Sequence, residues 1–68
     1  MKNESNYIIK IEFDKKENKY IAWIPALNNI AAQGENEADA YKNVLKVQND
    51  YLKFLKANSK PIPKSDLH

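Results

Sequence analysis

The apolar residues of this chain repeat every second position up to Gln33 and every third or fourth position from Glu37, and the change of period falls at Gly34, the only glycine. Tyr7, Ile9, Ile11 and Phe13 alternate with Ile8, Lys10 and Glu12, the pattern of a strand with one buried face. Asp14-Lys15-Lys16-Glu17-Asn18 is a charged loop without apolar residues. A second alternating run, Lys19 to Ile24, puts Tyr20, Ala22 and Ile24 on one face and Ile21 and Trp23 on the other. Two such runs across a short polar loop predict an antiparallel hairpin. Pro25 has no N–H for a ladder bond and ends the second strand. Asn28-Asn29 marks a turn, because Asn tolerates left-handed backbone. Ile30 to Gln33 reads as a third short strand, and Gly34 at its end is expected to supply a positive φ.

From Glu37 to about Ala57 the spacing predicts a helix. Asn36 is its N-cap, with Glu37 and Asp39 in the first turn, where carboxylates complement the dipole. Asn58-Ser59-Lys60-Pro61 supplies the stop. Ala40, Val44, Val47, Tyr51 and Phe54 form one stripe, and Tyr41, Leu45, Leu52 and Leu55 form a second beside it. At about 100° per residue the two cover roughly half the helix, while packing on one small sheet needs an arc of somewhat over 100°. The surplus points to a second contact surface, as do Ile8, Ile21 and Trp23 on the far side of the sheet. The expected protein-interface residues are therefore Trp23, Tyr41, Gln48, Tyr51, Leu52 and Leu55. The fold class is α+β: a three-stranded antiparallel sheet in β-β-β-α order with one long helix packed on it and a short extended tail carrying Pro61 and Pro63.

Sixty-eight residues make one domain, 1–68, with an ordered core expected over about 7–63. A domain of this size buries only about 60% of its unfolded surface, and small folds usually gain stability from disulfides, a metal or a partner. The chain has no cysteine, and its one histidine, His68, is the last residue. A homo-oligomer (dimer or tetramer) or a protein partner is the remaining route. The net charge is +2, carried by lysines without any arginine, so the bidentate reader of guanine and phosphate is missing. No apolar run approaches the roughly 20 residues of a membrane span. The polar start, Met1 to Asn6, has no apolar segment of signal-peptide type behind it, and a cytoplasmic location is expected.

The residues point away from an enzyme. Nucleophilic catalysis needs Ser, Thr or Cys beside a positioned base, whereas this chain has neither Thr nor Cys and its serines are Ser5, Ser59 and Ser65. Glu35, Glu37 and Asp39 fit helix-start capping better than convergence on one ion. One glycine makes no phosphate-binding loop. No catalytic, cofactor-binding or metal residue is expected, and no cofactor. For single-stranded nucleic acid the candidates are Lys10, Lys15, Lys16 and Lys19 near Tyr20 and Trp23, since lysines and aromatics on a sheet can stack bases. Glu12, Asp14 and Glu17 interleave with them, as on an ordinary soluble hairpin.

The β-β-β-α order carries specific punctuation: Tyr20-Ile21-Ala22-Trp23-Ile24-Pro25-Ala26-Leu27, then Ala32-Gln33-Gly34-Glu35-Asn36-Glu37-Ala38-Asp39-Ala40, and Lys60-Pro61-Ile62-Pro63 after the helix. In this order and spacing, over about Tyr7 to Pro63, the chain resembles the N-terminal domain of HicB antitoxins. It departs from that pattern at Asn29-Ile30, where the family usually has Gly-Cys or a similar pair, and at Asn36, where Thr or Ser is common. Many HicB proteins also carry a C-terminal DNA-binding domain, and up to His68 no such domain is present. The resemblance implies a degraded, partial RNase H-like fold that binds and masks a HicA-like toxin, a small RNA-cleaving protein. The acidic helix start, Glu35, Glu37 and Asp39, would then face a basic toxin. The alternative is an orphan oligomeric module for a small ligand or single-stranded nucleic acid.

Overall fold

The structure, a computed structural model, describes residues 6–65. Strand β1 spans Lys10–Asp14, β2 Lys19–Ile24 and β3 Ile30–Gly34, and helix α1 spans Glu37–Ala57. The strands form one antiparallel sheet in the order β1-β2-β3. Lys10 stands opposite Trp23 and Asp14 opposite Lys19 in the first pair, and Tyr20 opposite Gly34 and Ile24 opposite Ile30 in the second. The α+β reading therefore holds, with β1 starting at Lys10 rather than Tyr7.

Each connection has a local cause. Between β1 and β2 the Asp14 carboxylate accepts the backbone N–H groups of Lys16 at 3.0 Å and Glu17 at 3.4 Å, and Asn18 takes the left-handed turn position at φ 55°. After β2, Pro25 opens a single 3-10 turn, Pro25–Leu27. Asn28 and Asn29 then reverse the chain at φ 60° and 54°, conformations that Asn adopts at little cost.

Gly34 works differently from expectation: its φ is not positive. A Cβ built on it would lie 2.2 Å from the Ala40 backbone nitrogen and 2.6 Å from the Asp39 carbonyl carbon. The glycine is needed because the first turn of α1 rests directly on the strand end, a close backbone approach that only a hydrogen side chain admits.

Helix α1 is capped at both ends. The Asn36 side chain accepts the Asp39 N–H at 2.8 Å, which satisfies one of the free donors of the first turn. At the other end Ser59 sits at φ 53°, its N–H reaches the Lys56 carbonyl at 3.1 Å, and the Lys60 N–H reaches the Leu55 carbonyl at 2.8 Å. These paired bonds make a Schellman ending with serine in the position that glycine usually fills.

The helix lies mainly across β3 and β2 and touches β1 little. Between helix and sheet sits a core of Tyr7, Ala22, Ile24, Leu27, Ala40 and Val44. Ile24, Leu27 and Val44 are fully buried, each stabilising by about 1.5–3 kcal/mol relative to exposure. At the uncovered β1 side, Phe13 remains 45% exposed and packs edge-on against Tyr20, ring centroids 5.2 Å apart.

With 21 residues the helix is about 31 Å long, against roughly 17–20 Å for strands of five or six residues. Its last turns overrun the sheet. The chain ends close this gap: the Tyr7 hydroxyl donates to the Pro63 carbonyl at 2.5 Å, and the Ser65 hydroxyl donates to the Asn6 carbonyl. Tyr7 thus leaves the ladder that its alternation predicts and becomes a core residue under the Pro61–Pro63 tail.

Candidate functional site

The sheet presents two chemically different faces. Ile11, Phe13, Tyr20, Ala22, Ile24, Ile30 and Ala32 point towards α1, as their alternation and the core contacts require. Lys10, Glu12, Ile21, Trp23, Ala31 and Gln33 occupy the opposite face. Trp23 lies on the central strand, opposite Lys10 on one side and Ala31 on the other, and is half-buried, as is Ile21. Among the described residues the shortest dimension, 15 Å, accommodates a sheet and a helix about 10 Å apart and no third layer. The outer face is therefore an apolar strip along β2, Ile21 and Trp23, flanked by Lys10 and Glu12 on β1 and by Ala31 and Gln33 on β3, with Asp14 and Lys19 at one end.

The expected interface residues do not share one surface. Trp23 is on the outer sheet face, and the other five are on the helix across the core. Gln48 is 5% exposed and Leu55 6%, so both serve the chain's own interior and are removed from the expected interface. Gln48 carries a hydrogen-bonded or electrostatic contact and leaves no buried polar atom unpaired, which is how a glutamine can enter a core. Tyr51 and Leu52 pack on the core cluster. Tyr41 is half-buried on the helix flank, as are Leu45 and Val47. Phe54, placed on a buried stripe by its spacing, is 52% exposed with the Lys60 ammonium 5.5 Å from its ring centre.

The acidic helix start is largely occupied. Asp39 is tied to Asn36, and Glu35 lies 3.9 Å from the Lys19 ammonium in an exposed pair; Glu37 is exposed. Glu35 and Asp39 line an open cleft of about 510 Å³ with Lys19, Gln33, Lys42, Asn43 and Lys46. Asn43 donates to the Gln33 carbonyl at 2.7 Å, covering part of the free edge of β3. The sequence reading missed this cleft, because only the close seating of α1 on Gly34 brings the end of β3 to the helix flank.

The aromatic platform is divided as well. Tyr20 points to the helix side with Phe13, so of the two aromatics only Trp23 remains with Lys10 and Lys19 on the outer face. Among the described residues, no group of three or more His, Asp or Glu side chains is placed to hold a metal ion. Ser5 and His68 lie outside the described residues. No helix among the described residues is long and apolar enough to cross a membrane. Compared with known protein families, with curated proteins and with solved structures, the chain matches none.

Proposed function

We propose that this chain is a non-catalytic, cytoplasmic protein-binding module of the HicB kind, which neutralises a HicA-type RNA-cleaving toxin by covering it. The observation that carries the proposal is the bare outer face of the sheet. Trp23 and Ile21 are already half-buried, so ordering them against a partner costs little entropy. Trp is also the residue type that most often anchors an interface. The polar rim of Lys10, Glu12 and Gln33 fits the usual anatomy of such a contact. The β-β-β-α order and the motif spacing support the HicB, degraded RNase H-like part of the reading, and inhibition on this account is steric. Self-association into a dimer or tetramer belongs to the same proposal and would use the flank of Tyr41 and Leu45. The open cleft at Lys19, Lys42 and Lys46 favours the second reading, an orphan module for a small ligand.

The test is to retrieve the tagged chain from its own cells and identify what accompanies it in near-equal amount. A small basic RNA-cleaving protein, lost when Trp23→Lys is the bait, supports the proposal. If only the chain itself is recovered, the orphan reading replaces it.

A further inference from the structure

The back of helix α1 carries a second surface, which meets the open cleft at Lys42 and Lys46. Lys42, Lys46, Asn49, Lys53 and Lys56 recur at spacings of four, three, four and three, and all five are exposed. At about 100° and 1.5 Å per residue they form one straight stripe about 21 Å long, on the side turned away from the core. Like charges three and four apart on a helix repel. Among the described residues no carboxylate lies within ion-pair distance of any of the four lysines; the one ion pair joins Lys19 to Glu35. Asp50 stands beside the stripe and pairs with neither Lys46 nor Lys53. The helix dipole accounts for lysines near the C-terminus, but not for Lys42 and Lys46, which follow closely on the acidic first turn.

The stripe has no apolar member. Protein interfaces deplete lysine and centre on aromatic or aliphatic anchors, and amphipathic membrane helices set Trp, Phe or Leu against lipid. A row of evenly spaced ammonium groups with one amide among them fits a partner that is itself charged, hydrated and repeating. We infer that the outer ridge of α1 binds the phosphate backbone of nucleic acid without reading its sequence. Lysine is a point charge on a flexible stem and lacks the planar fork that selects a base. The phosphate-binding ridge and the Trp23 face lie on opposite sides of the molecule, so the inference is independent of the proposed toxin contact.

The experiment measures binding of the whole chain to short mixed-sequence DNA and RNA duplexes as salt is raised. With four phosphate contacts the affinity falls about 150-fold between 50 and 200 mM salt, the slope being about −0.9 per contact. The pair Lys46→Gln and Lys53→Gln changes only exposed side chains; it should roughly halve the slope, so that the same salt step costs about 12-fold. The pair Lys15→Gln and Lys16→Gln removes the same charge from the β1–β2 loop and should leave the slope unchanged. A scrambled duplex should bind as well as the original. The inference is overturned by no duplex binding at the lower salt, by equal losses in the two double variants, or by binding to phosphatidylserine vesicles in preference to either duplex.

Discussion

Replacing Gly34 by alanine puts two effects of opposite sign against each other. Gly34 has no positive φ, so its backbone suits any residue, and alanine should then stabilise by about 0.4–1 kcal/mol through the unfolded chain. The structure predicts the reverse. The new Cβ would lie 2.2 Å from the Ala40 nitrogen, where ordinary contact begins near 3.4 Å, so strand and helix must part by about 1.2 Å. The neighbours are backbone atoms of a capped helix turn, which cannot swing aside as a side chain would. Overpacking costs about 1–3 kcal/mol and sometimes more, and rigid neighbours place this case near 2–4 kcal/mol. A chain of this length has roughly 3–10 kcal/mol of total stability at about 0.05–0.15 kcal/mol per residue, so a large share is lost. In urea unfolding followed by far-UV circular dichroism, with a slope near 1 kcal/mol/M, the midpoint should fall by about 2 M or more. An unchanged or raised midpoint would refute the close-approach argument and return Gly34 to an ordinary strand end.

Three further outcomes follow from the same structure. Ser59→Gly should raise stability by about 0.5–1 kcal/mol, because glycine accepts the left-handed position of the helix ending without the Cβ penalty; a thermal melt reads the shift. Tyr7→Phe removes the bond to the Pro63 carbonyl and should cost about 0.5–1.5 kcal/mol, with faster tryptic cleavage after Lys64 as the sign that the tail has loosened. Trp23→Lys, on the outer face, should change stability by about 1 kcal/mol or less while abolishing partner binding, and a large loss of stability would mean that the indole belongs to the core.

The sequence was most legible where one local rule governs. The alternation of Lys19 to Ile24, the stop at Pro25, the left-handed Asn28-Asn29 and the Asn36 cap all depend on neighbours a few residues away. The start of β1 was not legible, because Tyr7 is drawn into the core by Pro63, 56 residues along the chain. Gly34 was located correctly but given the wrong reason, since a missing side chain signals freedom of φ and close approach alike. On the helix, spacing placed Phe54 among buried residues and Gln48 at an interface. Phe54 stands at the edge of the apolar arc and is 52% exposed, although Leu55, one position on, is buried, and an internal polar contact admits Gln48. Of the candidate sites, alternation put Trp23 on the sheet face away from Tyr20, Ala22 and Ile24, while which of the two faces the helix covers, and the separation of Trp23 from the helix residues by the whole core, required the fold.

Growth arrested by a HicA-type toxin, with this chain expressed beside it, tests the central claim most directly. The account predicts that the wild-type chain restores growth and that Trp23→Lys, equally abundant and folded, does not. No rescue by the wild type would contradict the antitoxin reading, and equal rescue by both would contradict the assignment of the outer sheet face as the toxin contact.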